Sequence, residues 1–360
     1  MTTLLLKKSI VRSPLRLGFL LVPLALAWFV VSPTTQAQLP PPAPDGGYPN
    51  GNTAEGTNAL FSVTTGAFNT ASGVRALQSN TTGNDNTATG VSALQSNTTG
   101  GGNTANGVFA LFSNTTGHEN TANGVSALQS NTTGGSNTAN GVEALLSNTT
   151  GIQNTATGVS ALLNNNGNNN TANGVNALKG NTTGSANTAN GLSALVNNTT
   201  GSQNIATGAN ALLHNKTGNG NTAEGTTALQ NNTGSFNTAL GFSAGANLTS
   251  GHDNLDILSL GVAGESNTTR IGTVKQTRTF ISGIRGVTTA NANAVPVVID
   301  SAGQLGTVSS SRRFKNEIKP MHNSSEAILG LKPVTFHYKT DKQNTPQFGL
   351  LLIPETSHFS

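Results

Sequence analysis

The phrase NTATGVSALQSNTTG, Asn86 to Gly100, recurs through the middle of this 360-residue sequence at a nearly fixed spacing. The glycine of Asn-Thr-Ala-x-Gly stands at Gly56, Gly73, Gly90, Gly107, Gly124, Gly141, Gly158, Gly174, Gly191, Gly208, Gly225 and Gly241. The interval is 17 residues, shortened to 16 before Gly174 and before Gly241. A short fixed period commits the chain to a stack of like units, each completed by its neighbours. Seventeen residues cannot hold two helices and their turns, and Asn, Thr and Gly are poor in helix interiors. The unit is therefore expected to be a β coil. Thr-Ala-x-Gly and Val-x-Ala-Leu each fit a short strand with small inward side chains. Asn-Thr-Thr-Gly fits the turn, its Asn and Gly tolerating left-handed backbone. Stacking sets Ala on Ala, Leu on Leu and Asn on Asn, and the Asn columns can satisfy turn amides. At about 4.8 Å per coil, the repeats would build a rod on the order of 55 Å long. Its thin Ala/Val/Leu core suggests further burial between chains.

Other readings of the repeats are weaker. The Asn-Thr-Thr triplets match a glycosylation acceptor, but they recur because the turn recurs. A calcium-binding solenoid needs an aspartate in nearly every coil, and the repeats offer Asp85. A flat ice-binding threonine face would need Thr-Ala-Thr throughout, which occurs only at Thr87–Thr89 and Thr155–Thr157. Disorder is disfavoured by the strict Ala and Leu register and by the lack of net charge to hold the chain expanded.

The charge is unevenly spread. Residues 1–38 hold four cations and no anion, residues 39–250 three cations and six anions, and residues 251–360 eleven cations and eight anions. The chain after its first segment is thus near neutral, and a nucleic-acid partner, which needs a clustered cationic face, is not expected. Lys7, Lys8, Arg12 and Arg16 precede the apolar run FLLVPLALAWFVV, Phe19 to Val31, and a small-x-small site ends at Ala37. This is the pattern of a secretory signal, with cleavage expected between Ala37 and Gln38. The run is short for a membrane span, so no stable span is expected once the signal is removed. A proline-rich linker, LPPPAP (Leu39 to Pro44), follows. The sequence contains no cysteine, so an exported product would be stable without disulfides.

Past Asn254 the repeat decays. TRTFISGIRGV (Thr277 to Val287) and VPVVIDSAGQLGTV (Val295 to Val308) read as strands, the second a hairpin turning at Asp300-Ser-Ala-Gly303. SSSRRFKNEIKP follows, Ser309 to Pro320, with four cations in twelve residues. Ser310 and Lys315 could form a Ser-Lys pair if the lysine were neutral. Burial would lower its pKa, and repulsion from Arg312 and Arg313 would act in the same direction. From residue types alone, a solvated basic stretch opening a helix behind serine caps fits equally.

Two resemblances extend this reading. The repeats, over about residues 51–251, resemble the head repeats of trimeric autotransporter adhesins, which form a parallel β-roll of three chains. The 17-residue unit is longer than the usual head repeat, and that family's C-terminal barrel anchor is not expected here. SSRRFKNEIKPM, SEAILGLKPVTFHYK (Ser325 to Lys339) and PQFGL (Pro346 to Leu350) resemble the intramolecular chaperone domain of endosialidases and phage tail fibres. That resemblance implies a domain that trimerises, assists folding of a β-rich stalk and then cuts itself off. By position it makes Ser310 the nucleophile, Lys315 its partner and Ser309–Ser310 the cleaved bond. Where members often carry Asp after the nucleophile, this chain has Ser311. After Leu350 the family pattern runs into acidic helical sequence, whereas this chain reads LLIPETSHFS to Ser360, so a shortened domain is expected, with self-cleavage and chaperone action impaired or lost.

The expected fold class is all-β: a parallel β-solenoid or β-roll of twelve coils of about 17 residues, trimeric, with a β neck and a small, shortened α+β C-terminal domain. The divisions are 1–37 signal, 38–50 linker, 51–250 solenoid, 251–308 neck and 309–360 processing domain. The expected function is an exported surface or tail-fibre-like structural protein or adhesin. Its partner would be itself as a homotrimer, with a host surface or glycan as target. Any catalysis would be one intramolecular cut without cofactor or metal. The rival is a monomeric glycan- or ice-binding solenoid. An enzyme acting on external substrates finds no constellation, since His118, His214 and His252 have no metal-ligand spacing.

Overall fold

The computed structural model describes residues 48–282, 284, 296–307, 332–336 and 347–351. The chain divides into two compact units, Met1–Thr279 and Phe280–Ser360.

The first unit is a parallel β-solenoid. Fourteen three-residue strands, from Thr53–Glu55 to Thr269–Ile271, form one sheet whose order is the sequence order. Each strand contributes the same three positions, so Ala71, Ala88 and Ala105 stand in one column and Thr70, Thr87 and Thr104 in the next. The alanine points inward and the flanking residues outward, as period-two alternation requires. A second column pair, Ala93-Leu94 in one coil and Ala110-Leu111 in the next, is fully buried and completes the thin core. Fourteen strands enclose thirteen coils, so the sheet runs past the twelfth recognisable repeat through Leu255–Ile257 and Thr269–Ile271.

One strand forms per coil, and the expected strand at Val-x-Ala-Leu is absent. That segment is a run of turns with left-handed backbone at the residue after valine and again at leucine, as at Ser126 (φ 57°) and Leu128 (φ 52°). Such angles cost a non-glycine residue about 1 kcal/mol or more each. They persist because every coil supplies main-chain partners to the next: Ser126 N donates to the Val108 carbonyl at 2.9 Å, and Leu128 N to the Ala144 carbonyl at 3.0 Å. A segment inside a solenoid is satisfied by its neighbouring coil without being extended.

The asparagines behave as expected. In the column through Asn103, Asn120 and Asn137, each Oδ1 accepts from the main-chain N and Nδ2 of the next member at 3.0–3.1 Å. A second column runs through Asn97, Asn114 and Asn131, with Nδ2 donating to the preceding Oδ1 at 2.8 Å. The two columns share an acceptor: Asn103 and Asn114 both donate to the Gly117 carbonyl. The glycine of Asn-Thr-Thr-Gly is required here by space, since a Cβ at Gly117 would lie 2.3 Å from Asn114 Oδ1. It is not left-handed, contrary to the sequence expectation. The left-handed glycine is the one ending Asn-Thr-Ala-x-Gly, for example Gly124 at φ 142°.

The two 16-residue coils each lose one turn residue. In the first, Asn166 Oδ1 takes the place of a missing carbonyl, accepting from Thr149 N and Oγ1 at 2.8 Å. In the second, Asn232 turns to Asn221 Oδ1 and leaves Asn215 Oδ1 buried without a partner.

In the second unit, Val297–Ile299 pairs antiparallel with Leu305–Thr307. Asp300 Oδ1 closes the turn by accepting from Ala302 N and Gln304 N at 2.9 Å, the hairpin expected from Asp300 to Gly303. The described part of TRTFISGIRGV, residues 277–282 and 284, is not a strand. Lys332–Phe336 pairs antiparallel with Gln347–Leu351. The described residues of this unit are strands and turns; the helical part of the expected α+β domain lies outside them.

Candidate functional site

The expected cleavage apparatus, Ser309, Ser310 and Lys315, lies outside the described residues, as do Ala37, Gln38 and the apolar run Phe19–Val31. Among the described residues no helix is long and apolar enough to cross a membrane. What the structure does describe of the motif-bearing segment is the scaffold behind it. KPVTF and QFGLL, both part of the quoted motifs, form a five-residue hairpin in which Lys332 faces Leu351 and Phe336 faces Gln347.

The rod has its own unusual features. At its C-terminal end Asp256 takes the slot that alanine fills in the preceding coils, pairing in register with Ala239 and Arg270. It is 1% exposed, and neither carboxylate oxygen has a hydrogen-bond partner. Burial raises its pKa above the ordinary 3.8, with Glu265 adding to the rise. The Ser259 hydroxyl, short of hydrogen-bonding geometry, and the more distant Arg270 offset part of this. Two glycines stand beside the carboxylate: Gly245, which replaces the column leucine, and Gly261, where a Cβ would stand 2.9 Å from Asp256 Oδ2. Glu265 beside it is held below its usual range by Arg270, which donates Nε and Nη2 at 2.8–2.9 Å. Sequence reading passed over this pair, although losing leucine and gaining aspartate in adjacent coils was a visible signal.

The rod surface is also patterned. The residue after each left-handed glycine is valine from Val74 to Val175 and then Leu192, an unbroken aliphatic stripe over eight coils. Its exposure runs from 38% at Val108 to 54% at Leu192. Covering side chains already half buried would return about 1 kcal/mol each. On the strand face the outward row is polar and self-paired: Asn106 Nδ2 donates to Asn123 Oδ1 at 2.9 Å and Asn123 Nδ2 to Asn140 Oδ1 at 2.8 Å. His252 Nδ1 lies 2.8 Å from Asp253 in an exposed pair, and no group of three or more His, Cys, Asp or Glu among the described residues could hold a metal ion.

Residues 310–351 match the family described as chaperone of endosialidase. The match spans the basic motif and ends on the second strand of the hairpin just described. No curated protein and no solved structure matches the chain. The class defined is therefore a β-solenoid rod on the same chain as a segment that matches the chaperone-of-endosialidase family.

Proposed function

We propose that this chain is the subunit of an exported, homotrimeric, tail-fibre-like structural protein whose C-terminal domain assembles the rod and then separates from it. One observation carries the reading: a segment that matches the chaperone-of-endosialidase family follows a thirteen-coil β-solenoid on the same chain. A rod held by contacts between successive coils has a costly first coil, because no single coil buries enough to stand alone. A trimerising domain at one end lowers that cost by holding three chains together. The basic leader and apolar run support export, and the likeness of the repeats to adhesin heads supports a surface or glycan as target.

Self-cleavage, reduced or lost as the sequence leads one to expect, would fall between Ser309 and Ser310. Neutral Lys315 takes the Ser310 hydroxyl proton as the oxygen attacks the Ser309 carbonyl carbon. The C–N bond breaks, the proton passes to the released Ser310 amine, and water hydrolyses the resulting ester to leave a Ser309 carboxylate. The net change is hydrolysis of one peptide bond.

The test is the intact mass of the recombinant chain beside Ser310→Ala, with light scattering on both. A fragment ending at Ser309 in the parent and absent from the variant supports self-processing. An uncut trimer removes the cleavage and leaves the fibre. A stable monomer removes the fibre.

A further inference from the structure

The aliphatic stripe from Val74 to Leu192 needs an occupant, and its spacing restricts what that can be. Consecutive members sit one coil apart, so the stripe is an apolar row repeating at the inter-strand distance of about 4.8 Å. A globular partner's sheet offers rows of the same spacing but averages about five or six strands, short of the eight coils of this stripe. A second copy of this chain, parallel and in register, presents the same row at the same heights along eight coils. The geometry points to this stripe as the seam along which copies of the rod pack, parallel and in register. This inference rests on the assembly proposed above and adds which face of the coil makes the contact.

The flanking residues suit such a seam. The position after the stripe residue holds Arg75 and Glu143 and is otherwise uncharged between Val74 and Leu192, reading Ser, Phe, Ser, Ser, Asn and Ser. Glu143 already accepts the Ser160 hydroxyl at 3.0 Å. In-register packing therefore sets like charge beside like at only two heights of this row. A copy shifted by one coil would keep the valines in contact but face Arg75 with Ser92 and lose the match at both ends, so the length of the stripe selects the register. In the next two coils Ala209 and Thr226 replace the aliphatic residue, which ends the seam. The polar face, whose asparagines pair within one chain, has no comparable demand for cover.

The chain lacks cysteine, so a single introduced thiol is unique. In the full chain, Val125→Cys places it mid-stripe. Thr133→Cys places it at an exposed residue eight positions on in the same coil, nearly half-way round. Mild oxidation should convert about two of every three Val125→Cys chains to covalent dimers, since three equivalent thiols about one axis form one disulfide. The Thr133→Cys chains should stay uncrosslinked. A triple variant, Val91→Asp with Val125→Asp and Val159→Asp, alters residues 44–47% exposed, so the single chain tolerates it. It should keep its circular dichroism and scatter light as a monomer. Crosslinking at Thr133→Cys instead, or an oligomer that ignores both sets of changes, would overturn the seam while leaving the fibre reading intact. A monomeric parent chain would remove both.

Discussion

The column Asn69, Asn86, Asn103, Asn120 and Asn137 and the short column Ala239, Asp256 and Arg270 occupy the same rod, yet they handle burial in opposite ways. In the first, each buried amide is satisfied by the identical residue one coil away, because a translated copy always offers a donor where an acceptor is needed. In the second, a buried carboxylate has alanine on one side and arginine on the other, and its oxygens have no hydrogen-bond partner. An amide carries both donor and acceptor and so can stack on itself, whereas a carboxylate carries acceptors alone. Polar cores are inexpensive where the repeat is strict and costly where it ends.

The hardest test of this contrast removes a backbone freedom on which the regular part depends. At Gly124 the backbone is left-handed (φ 142°) and an added Cβ would stand 2.5 Å from the Gly141 carbonyl oxygen. Gly124→Ala should cost at least about 3 kcal/mol. Hydrogen exchange should show lost protection in the adjoining coils. Gly102→Asn should be nearly neutral by the same measurement, because Asn169 occupies the equivalent place with φ 58°.

Next in size is the amide column itself. Asn120→Ala deletes the acceptor of Asn137 N and Nδ2 and leaves both buried, at about 2–3 kcal/mol, read as a lower urea midpoint. Asn123→Ala, in the half-exposed outer row, should cost under about 1 kcal/mol.

The end of the rod should respond with the opposite sign. Asp256→Ala restores the column alanine and should gain about 1–2 kcal/mol at neutral pH. The parent's deficit depends on pH. Because the folded pKa of Asp256 is raised, stability is whole below its ordinary 3.8 and falls as pH rises through the folded value. The gain should therefore vanish in acid, which thermal melts at several pH values would reveal. Glu265 runs the other way: its folded pKa is lowered, so its contribution is present above 4.5 and lost as pH falls below it. With Arg270 exposed but Glu265 only 13% so, Glu265→Gln should lower stability by about 0.5–1 kcal/mol.

Much of the rod was legible because period and composition act together. The Thr-Ala-x strand, the Ala and Leu columns and the asparagine ladders follow from stacking like on like. The Val-x-Ala-Leu segment was misread because valine and leucine suggest a strand, while the neighbouring coil satisfies a turn equally well. Left-handed leucine at Leu94 or Leu128 leaves no mark in a single sequence. The aspartate at 256 was visible as an exception, but its burial was not, since the repeat had already decayed around it. For Ser309, Ser310 and Lys315 the residue types left catalysis and a solvated basic stretch both open. It was the surrounding motif, not the spacing of serine and lysine, that gave them roles.

The strict register of the asparagine columns also bears on how such a chain can change over generations. Inserting or deleting one whole 17-residue unit between Asn69 and Asn137 returns every column to its own kind and moves the two ends apart or together by about 4.8 Å. A change of any other size must be repaired locally, as Asn166 does with its side chain. The rod is in this sense a ruler with coarse graduations, and its reach can be lengthened by copying errors that leave its surface chemistry unaltered.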